Sequence, residues 1–246
     1  MRTPRDYIVF PLDLPTVEQA ARYVRRLSGY VGMFKVGLEL FVRGGNRIVK
    51  TVQGESDAKI FLDLKLHDIP ETVRRAMVQV AGWKVDFTTV HCGESSRMLG
   101  AAVQGGGGAV KVLGVTVLTS VTGEDIGAAG FEKRYSENVR ELVMLRAKMA
   151  RDAGCAGVVC AGSEVKSIRE AFGPDFITMV PGIRPAWSVD DADDQKRVTT
   201  PAMAIENGAD HLVVGRPIRD AEEPEIAAEM LASEIAGALE ALHRSS

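Results

Sequence analysis

Eight short apolar runs rich in β-branched residues alternate strictly with eight longer stretches of helical period, and this alternation limits the possible folds more than any other feature. The strand candidates are residues 7–13, 33–37, 59–66, 87–91, 112–118, 157–161, 177–181 and 211–215. The helical candidates are 16–28, 39–53, 71–81, 95–104, 137–153, 164–171, 201–207 and 224–243. Near-continuous apolar strands separated by helices imply a parallel sheet covered on both faces. Eight such units in 246 residues predict an α/β architecture, a single (β/α)8 TIM barrel, over an open sheet. No linker, low-complexity tract or shift in composition divides the chain, so one barrel domain over residues 1–246 is expected. The glycine run 105–108 follows a helix and precedes a strand. A phosphate-cradling loop has the opposite order, so this run reads as an αβ turn.

Composition narrows the function classes. Hydrophobic residues make up 46% of the chain, enough for a packed core. The net charge is −3, with no basic run or stripe, which argues against a nucleic-acid partner. No apolar stretch approaches the length of a membrane span, and the charged start, residues 1–7, has no secretion-signal pattern. The cysteines, Cys92, Cys155 and Cys160, are odd in number and lack CxxC spacing. This count suits a reducing, cytoplasmic setting, and Cys155 and Cys160, in or beside an apolar run, read as core thiols.

In an α/β barrel, functional groups collect at the C-terminal ends of the strands. The third strand ends in Phe61-Leu-Asp-Leu-Lys-Leu-His-Asp-Ile-Pro70. Asp63 and Lys65 are two apart, so a regular strand points both to the face shared by Phe61, while Leu62, Leu64 and Leu66 point to the helices. Lys35 takes the same inward parity on the second strand, and Asp13 ends the first. Charges of alternating sign on neighbouring strand ends predict an ionic network. Such a network could simply brace the barrel, but buried charges rarely stabilise a fold on balance. Carboxylates beside a lysine favour its ammonium form. That suits a cation that stabilises developing negative charge and gives up a proton, and it does not suit a Schiff-base lysine.

The last two strands run into Pro181-Gly-Ile-Arg-Pro185 and Gly215-Arg216-Pro217. These loops are the usual phosphate site of the fold, and an arginine forks well onto phosphate oxygens. Arg216 is the first candidate for that contact. Arg184 reads equally as a second anion contact or as a loop surface charge. The polar, acidic stretch 187–197, with Gln195 inside it, has the composition of a lid.

Together, Asp63-Leu-Lys-Leu-His-Asp68-Ile-Pro70, Lys35-Val-Gly37, Val117-Leu-Thr-Ser120, Pro181-Gly-Ile-Arg-Pro185 and Gly215-Arg216-Pro217 resemble the orotidine 5′-phosphate decarboxylase family. The likeness runs from Asp13 to Pro217 in the family's order. The D-x-K-x-x-D pattern alone is shared by a wider suprafamily, and its combination with the later motifs is more specific. The resemblance implies that Lys65 protonates C6 of the pyrimidine and that Asp63 sits beside the departing carboxylate. It implies that Lys35 bonds Asp63 and the ribose, that Asp13 binds a ribose hydroxyl, and that Thr119 or Ser120 contacts the base. Arg184, Gln195, Gly215 and Arg216 resemble the phosphate-binding set, and Pro181 resembles a substrate-binding residue. Asp68, Ile69 and Thr72 resemble residues at the substrate site, with Asp68 and Thr72 entering the other subunit's site. A homodimer is therefore expected, with a nucleotide as substrate and no metal or organic cofactor. The stretch 186–194 departs from the family's shorter, glycine-containing pattern.

Two other readings have separate signatures. A magnesium-dependent decarboxylase or aldolase of the suprafamily would carry an acidic metal ligand where Lys35 stands. A non-catalytic phosphate-ligand binder would gain little from buried charges. His67 and His91 lack the helical spacing of a metal pair and read as ordinary hydrogen-bonding groups.

Overall fold

A computed structural model describes residues 2–93, 95–188 and 199–245. Eight parallel strands close into a barrel in sequence order. They are β1 (Ile8–Pro11), β2 (Met33–Gly37), β3 (Lys59–Leu66), β4 (Phe87–His91), β5 (Lys111–Val115), β6 (Gly157–Val159), β7 (Ile177–Val180) and β8 (His211–Val213). β2, β3 and β4 match the expected spans. The other strands end earlier than the apolar runs do, because their last residues leave the sheet to form the loops at the barrel mouth.

Period-2 alternation divides each strand between two cores. Val9, Met33, Phe61, Phe87, Leu113 and Met179 point inward and fill the barrel as one buried cluster. Their neighbours, among them Ile8, Phe34, Leu62, Val90 and Val158, point outward against the helices in a second, larger cluster. The barrel is thus plugged with side chains, and any cavity must open at an end.

The helices follow the apolar periodicity with informative breaks. The expected helix 39–53 is two, Leu38–Gly44 and Asn46–Glu55, separated at Gly45 with φ 54°. The expected helix 137–153 divides into Lys133–Glu137 and Val139–Asp152 around Asn138. Two short helical turns that the sequence pattern does not signal, Gly123–Ala128 and Arg216–Arg219, lie in the loops after β5 and β8. Of the glycine run, Gly105 and Gly106 end the helix Ser96–Gly106, and Gly107 caps it in the left-handed region. Gly105 has a packing role as well. A methyl group there would strike the carbonyl oxygen of Arg74 on the neighbouring helix Pro70–Gly82.

The amino end of the barrel holds a polar floor. His211 is 6% exposed and packs edge-on against Phe87 at 5.5 Å between ring centroids. Asp210 accepts from Arg169 at 2.6 Å and from the Thr178 amide at 2.8 Å.

Candidate active site

A cavity of about 500 Å³ opens at the carboxyl ends of the strands. Its charged wall is built from β1, β2 and β3. Lys35 Nζ lies 3.2 Å from Asp13 Oδ1 and 3.7 Å from Asp63 Oδ2. Lys65 Nζ donates to the same Asp63 Oδ2 at 2.7 Å. The order Asp13, Lys35, Asp63, Lys65 is a line of alternating charge running inward from an exposed carboxylate to a buried one. Asp63 is 7% exposed. Burial works to raise its pKa, but Lys35, Lys65 and hydrogen bonds from Lys65 and Thr89 outweigh that and hold it below the usual carboxylate range.

Lys65 reaches Asp63 by a route that strand alternation does not anticipate. The β3–β4 register shifts between Leu62 and Leu66, and Lys65 takes φ 51°, in the left-handed region. Side chains with a Cβ rarely adopt that conformation, which costs on the order of 1–2 kcal/mol. Its amide donates to Thr89 Oγ1 at 2.9 Å, and the Thr89 hydroxyl donates to Asp63 Oδ1 at 2.9 Å. The expected pairing of Asp63 with Lys65 is therefore present, but a bulge makes it.

The opposite wall comes from the loops after β7 and β8. Pro181, Gly182, Arg184, Gly215, Arg216 and Arg219 line it. Gly182 has φ 74°, a conformation open to glycine, and it turns the chain into the cavity edge. Arg184 is 6% exposed, with Nη1 donating to the Ile183 carbonyl at 3.0 Å. It is thus a buried wall residue, and the surface-charge reading is set aside. The third side is Val117, Leu118, Thr119 and Ser120 after β5, over a floor that includes Phe61, Val115 and Val159. Both hydroxyl candidates, Thr119 and Ser120, line the cavity.

Asp68, Ile69 and Thr72 do not line this cavity. Asp68 and Ile69 border a separate concavity with His67, Pro70, Ser95, Arg97 and Met98. Asp68 Oδ1 accepts from the Ile69 amide at 2.6 Å, Ile69 is 66% exposed, and Thr72 lies exposed in the first turn of Pro70–Gly82. Gln195 and the rest of 189–198 lie outside the described residues, so the lid expectation does too.

Sequence reasoning passed over three residues at the site. Thr89 is fully buried, and its signal was a polar residue in the inward parity of Phe87. Arg219 lines the mouth one helical turn after Arg216 and pairs with Asp220 at 2.6 Å. Cys160 borders the floor, whereas Cys92 and Cys155 are core thiols that burial pushes up to about 12. His67 and His91 stack at 5.8 Å with rings tilted by 46°. Burial, then the charges of His67 and Lys65, lower the His91 pKa. Among the described residues, no group of three or more His, Cys, Asp and Glu side chains could hold a metal ion, and no helix is long and apolar enough to cross a membrane.

The cavity lining among the described residues carries five cations, Lys35, Lys65, Arg184, Arg216 and Arg219, against two carboxylates, Asp13 and Asp63. The excess is positive in a chain that is acidic overall, so the field at the mouth selects a small anion. Arginines at one end and a lysine–carboxylate line at the other suit a ligand with phosphate remote from its reacting group.

Comparison with known proteins agrees with this geometry. The model of the orotidine 5′-phosphate decarboxylase / HUMPS family matches residues 6–231. A protein of Desulfosudis oleivorans named orotidine 5′-phosphate decarboxylase is 54% identical over 97% of this chain and 96% of its own length. One of the same name from Bradyrhizobium sp. strain BTAi1 is 43% identical over 96% of this chain and 94% of its own. The crystal structure of orotidine 5′-phosphate decarboxylase from Lactobacillus acidophilus superposes with a TM-score of 0.77 at 37% identity, covering 93% of this chain and 98% of that one.

Proposed function

Because the chain belongs to the orotidine 5′-phosphate decarboxylase / HUMPS family, we propose that it decarboxylates orotidine 5′-phosphate to uridine 5′-phosphate, a step of pyrimidine biosynthesis, without a cofactor. The observation that carries this reading is the line Asp13, Lys35, Asp63, Lys65 at one end of a cavity whose other end is walled by Arg184 and Arg216.

The nucleotide's phosphate binds at Arg184, Gly215 and Arg216, with Pro181 shaping the loop and Gln195 completing the set. Asp13 and Lys35 take the ribose hydroxyls, and Thr119 or Ser120 takes the base. That placement sets the carboxylate on C6 beside Asp63. Asp63 is held ionised, so the two negative charges disfavour the bound ground state, and the repulsion ends as carbon dioxide leaves. The C6–carboxylate bond breaks and its electron pair stays on C6. Lys65 stabilises that charge and transfers a proton from Nζ to the carbon. Solvent then returns a proton to Lys65. Phosphate lies far from the breaking bond, and its binding energy serves to position the reacting carbon.

The protein acts as a homodimer in which Asp68 and Thr72 serve the partner's cavity. Their exposed position outside their own cavity supports this. Three buried free thiols suit a reducing, cytoplasmic compartment.

The test is an absorbance assay for loss of orotidine 5′-phosphate, run with and without a metal chelator. Loss at the same rate in both arms is expected. Loss that the chelator abolishes would point to the magnesium-dependent branch of the suprafamily, and no loss from folded protein would leave a phosphate-ligand binder.

A further inference from the structure

We propose that Thr89 is a positioning residue for the decarboxylation: its hydroxyl holds Lys65 in the bulged conformation that delivers Nζ to Asp63, and it orients the Asp63 carboxylate. This inference rests on the reading of Asp63 and Lys65 as the reacting pair.

Thr89 lies in β4, fully buried, and touches both members of that pair. Its bonding polarity is fixed. A backbone amide only donates, so Thr89 Oγ1 accepts from the Lys65 amide at 2.9 Å. The single hydroxyl proton then goes to the carboxylate, to Asp63 Oδ1 at 2.9 Å. Oδ2, the other oxygen, receives Lys65 Nζ at 2.7 Å. The carboxylate is thereby held at both oxygens, one by threonine and one by the lysine whose backbone the same threonine secures.

The backbone of Lys65 needs this support. At φ 51° it leaves the β3–β4 ladder, whose register shifts at this point, and its amide no longer has a strand partner. Strained conformations persist where the surroundings over-determine them. Thr89 Oγ1 supplies the acceptor the ladder gave up. Without it, the amide gains by returning to a regular pairing, which swings Nζ away from Asp63. Loss of the hydroxyl also removes one of the interactions that offset the burial of Asp63.

Thr89→Val keeps the shape and deletes the hydroxyl, and Thr89→Ser restores it. Loss of a hydrogen bond to a charged group predicts a fall in kcat of roughly tenfold to a hundredfold in T89V. Binding of uridine 5′-phosphate should be unchanged, because Thr89 does not line the cavity. The acid limb of the kcat–pH profile should move to higher pH, since Asp63 loses a stabilising donor, and T89S should recover both rate and limb. A T89V enzyme with wild-type kcat, or one whose loss appears equally in product affinity and is not recovered by T89S, would overturn the proposal. If T89V does not fold, Thr89→Cys, with its weak donor, replaces it under the same criteria. Lys65→Ala is the control for the underlying reading. Survival of turnover in that variant sinks the reacting pair itself, while its loss, with T89V unaffected, sinks only the role of Thr89.

Discussion

Lowering the pH from neutrality to about 4 forces a proton onto His211 at the amino end of the barrel. In the fold its pKa is pushed down to about 4 by burial first and by Arg2 next, with Asp210 opposing, whereas the unfolded chain protonates it near 6.5. The unfolded state therefore binds more protons throughout that window, so stability falls with pH below 6.5 and the loss levels off below about 4. A span of about 2.5 pH units at 1.36 kcal/mol each predicts roughly 3 kcal/mol from this one side chain. Carboxylates titrate over part of the same range and His91 is shifted in the same direction, so the comparison is with His211→Gln, which is neutral at every pH. Urea unfolding across the range, wild type beside variant, gives the difference directly. The difference should shrink by about 3 kcal/mol as the pH falls. Parallel curves would show that His211 titrates normally and would refute the argument from burial. Turnover at neutral pH should be unaffected, because His211 begins β8 at the end opposite the cavity.

Other outcomes follow from the mouth and the outer shell. Lys65→Ala should lose at least the roughly 10²–10⁴-fold that a positioned proton donor supplies, while still binding uridine 5′-phosphate, as steady-state kinetics and product titration would register. Mixing Lys65→Ala with Asp68→Ala chains under exchange should restore about a quarter of wild-type activity, since each heterodimer places both lesions in one site. No recovery, with exchange verified, would count against Asp68 crossing between subunits. Gly105→Ala should cost about 1–3 kcal/mol by pushing the helices Pro70–Gly82 and Ser96–Gly106 apart, visible as a lower Tm. An unchanged Tm would mean the backbones have room to spare.

The barrel was legible in the chain because its signals are periodic and local. Inward Val9, Met33, Phe61 and Phe87 and outward Ile8, Phe34 and Leu62 follow strand alternation, and the helices follow the 3.6 repeat until Gly45 and Asn138 interrupt them. The motifs by themselves also place Asp13, Lys35, Asp63 and Lys65 on adjoining strand ends. Alternation does not carry as far as Lys65, because its φ is decided by a partner 24 residues away. The acceptor on Thr89 exists only once β4 lies beside β3, and no local propensity of a lysine would select that conformation. Arg184 is similar: its motif allows a surface charge, and the return of Thr199 beside Ile183 helps enclose it in the cavity wall. Asp68, five residues from Asp63, does not line the cavity its neighbours build, since β3 has ended and the chain has turned into the next helix. Sequence therefore determined which residues reach the mouth of the barrel. Apart from the Asp63–Lys65 pair, two residues apart on one strand, only tertiary structure decided which of them meet, because contacts such as Lys35 with Asp13 and Asp63, and Thr89 with Asp63 and Lys65, join strands that the chain brings together from a distance.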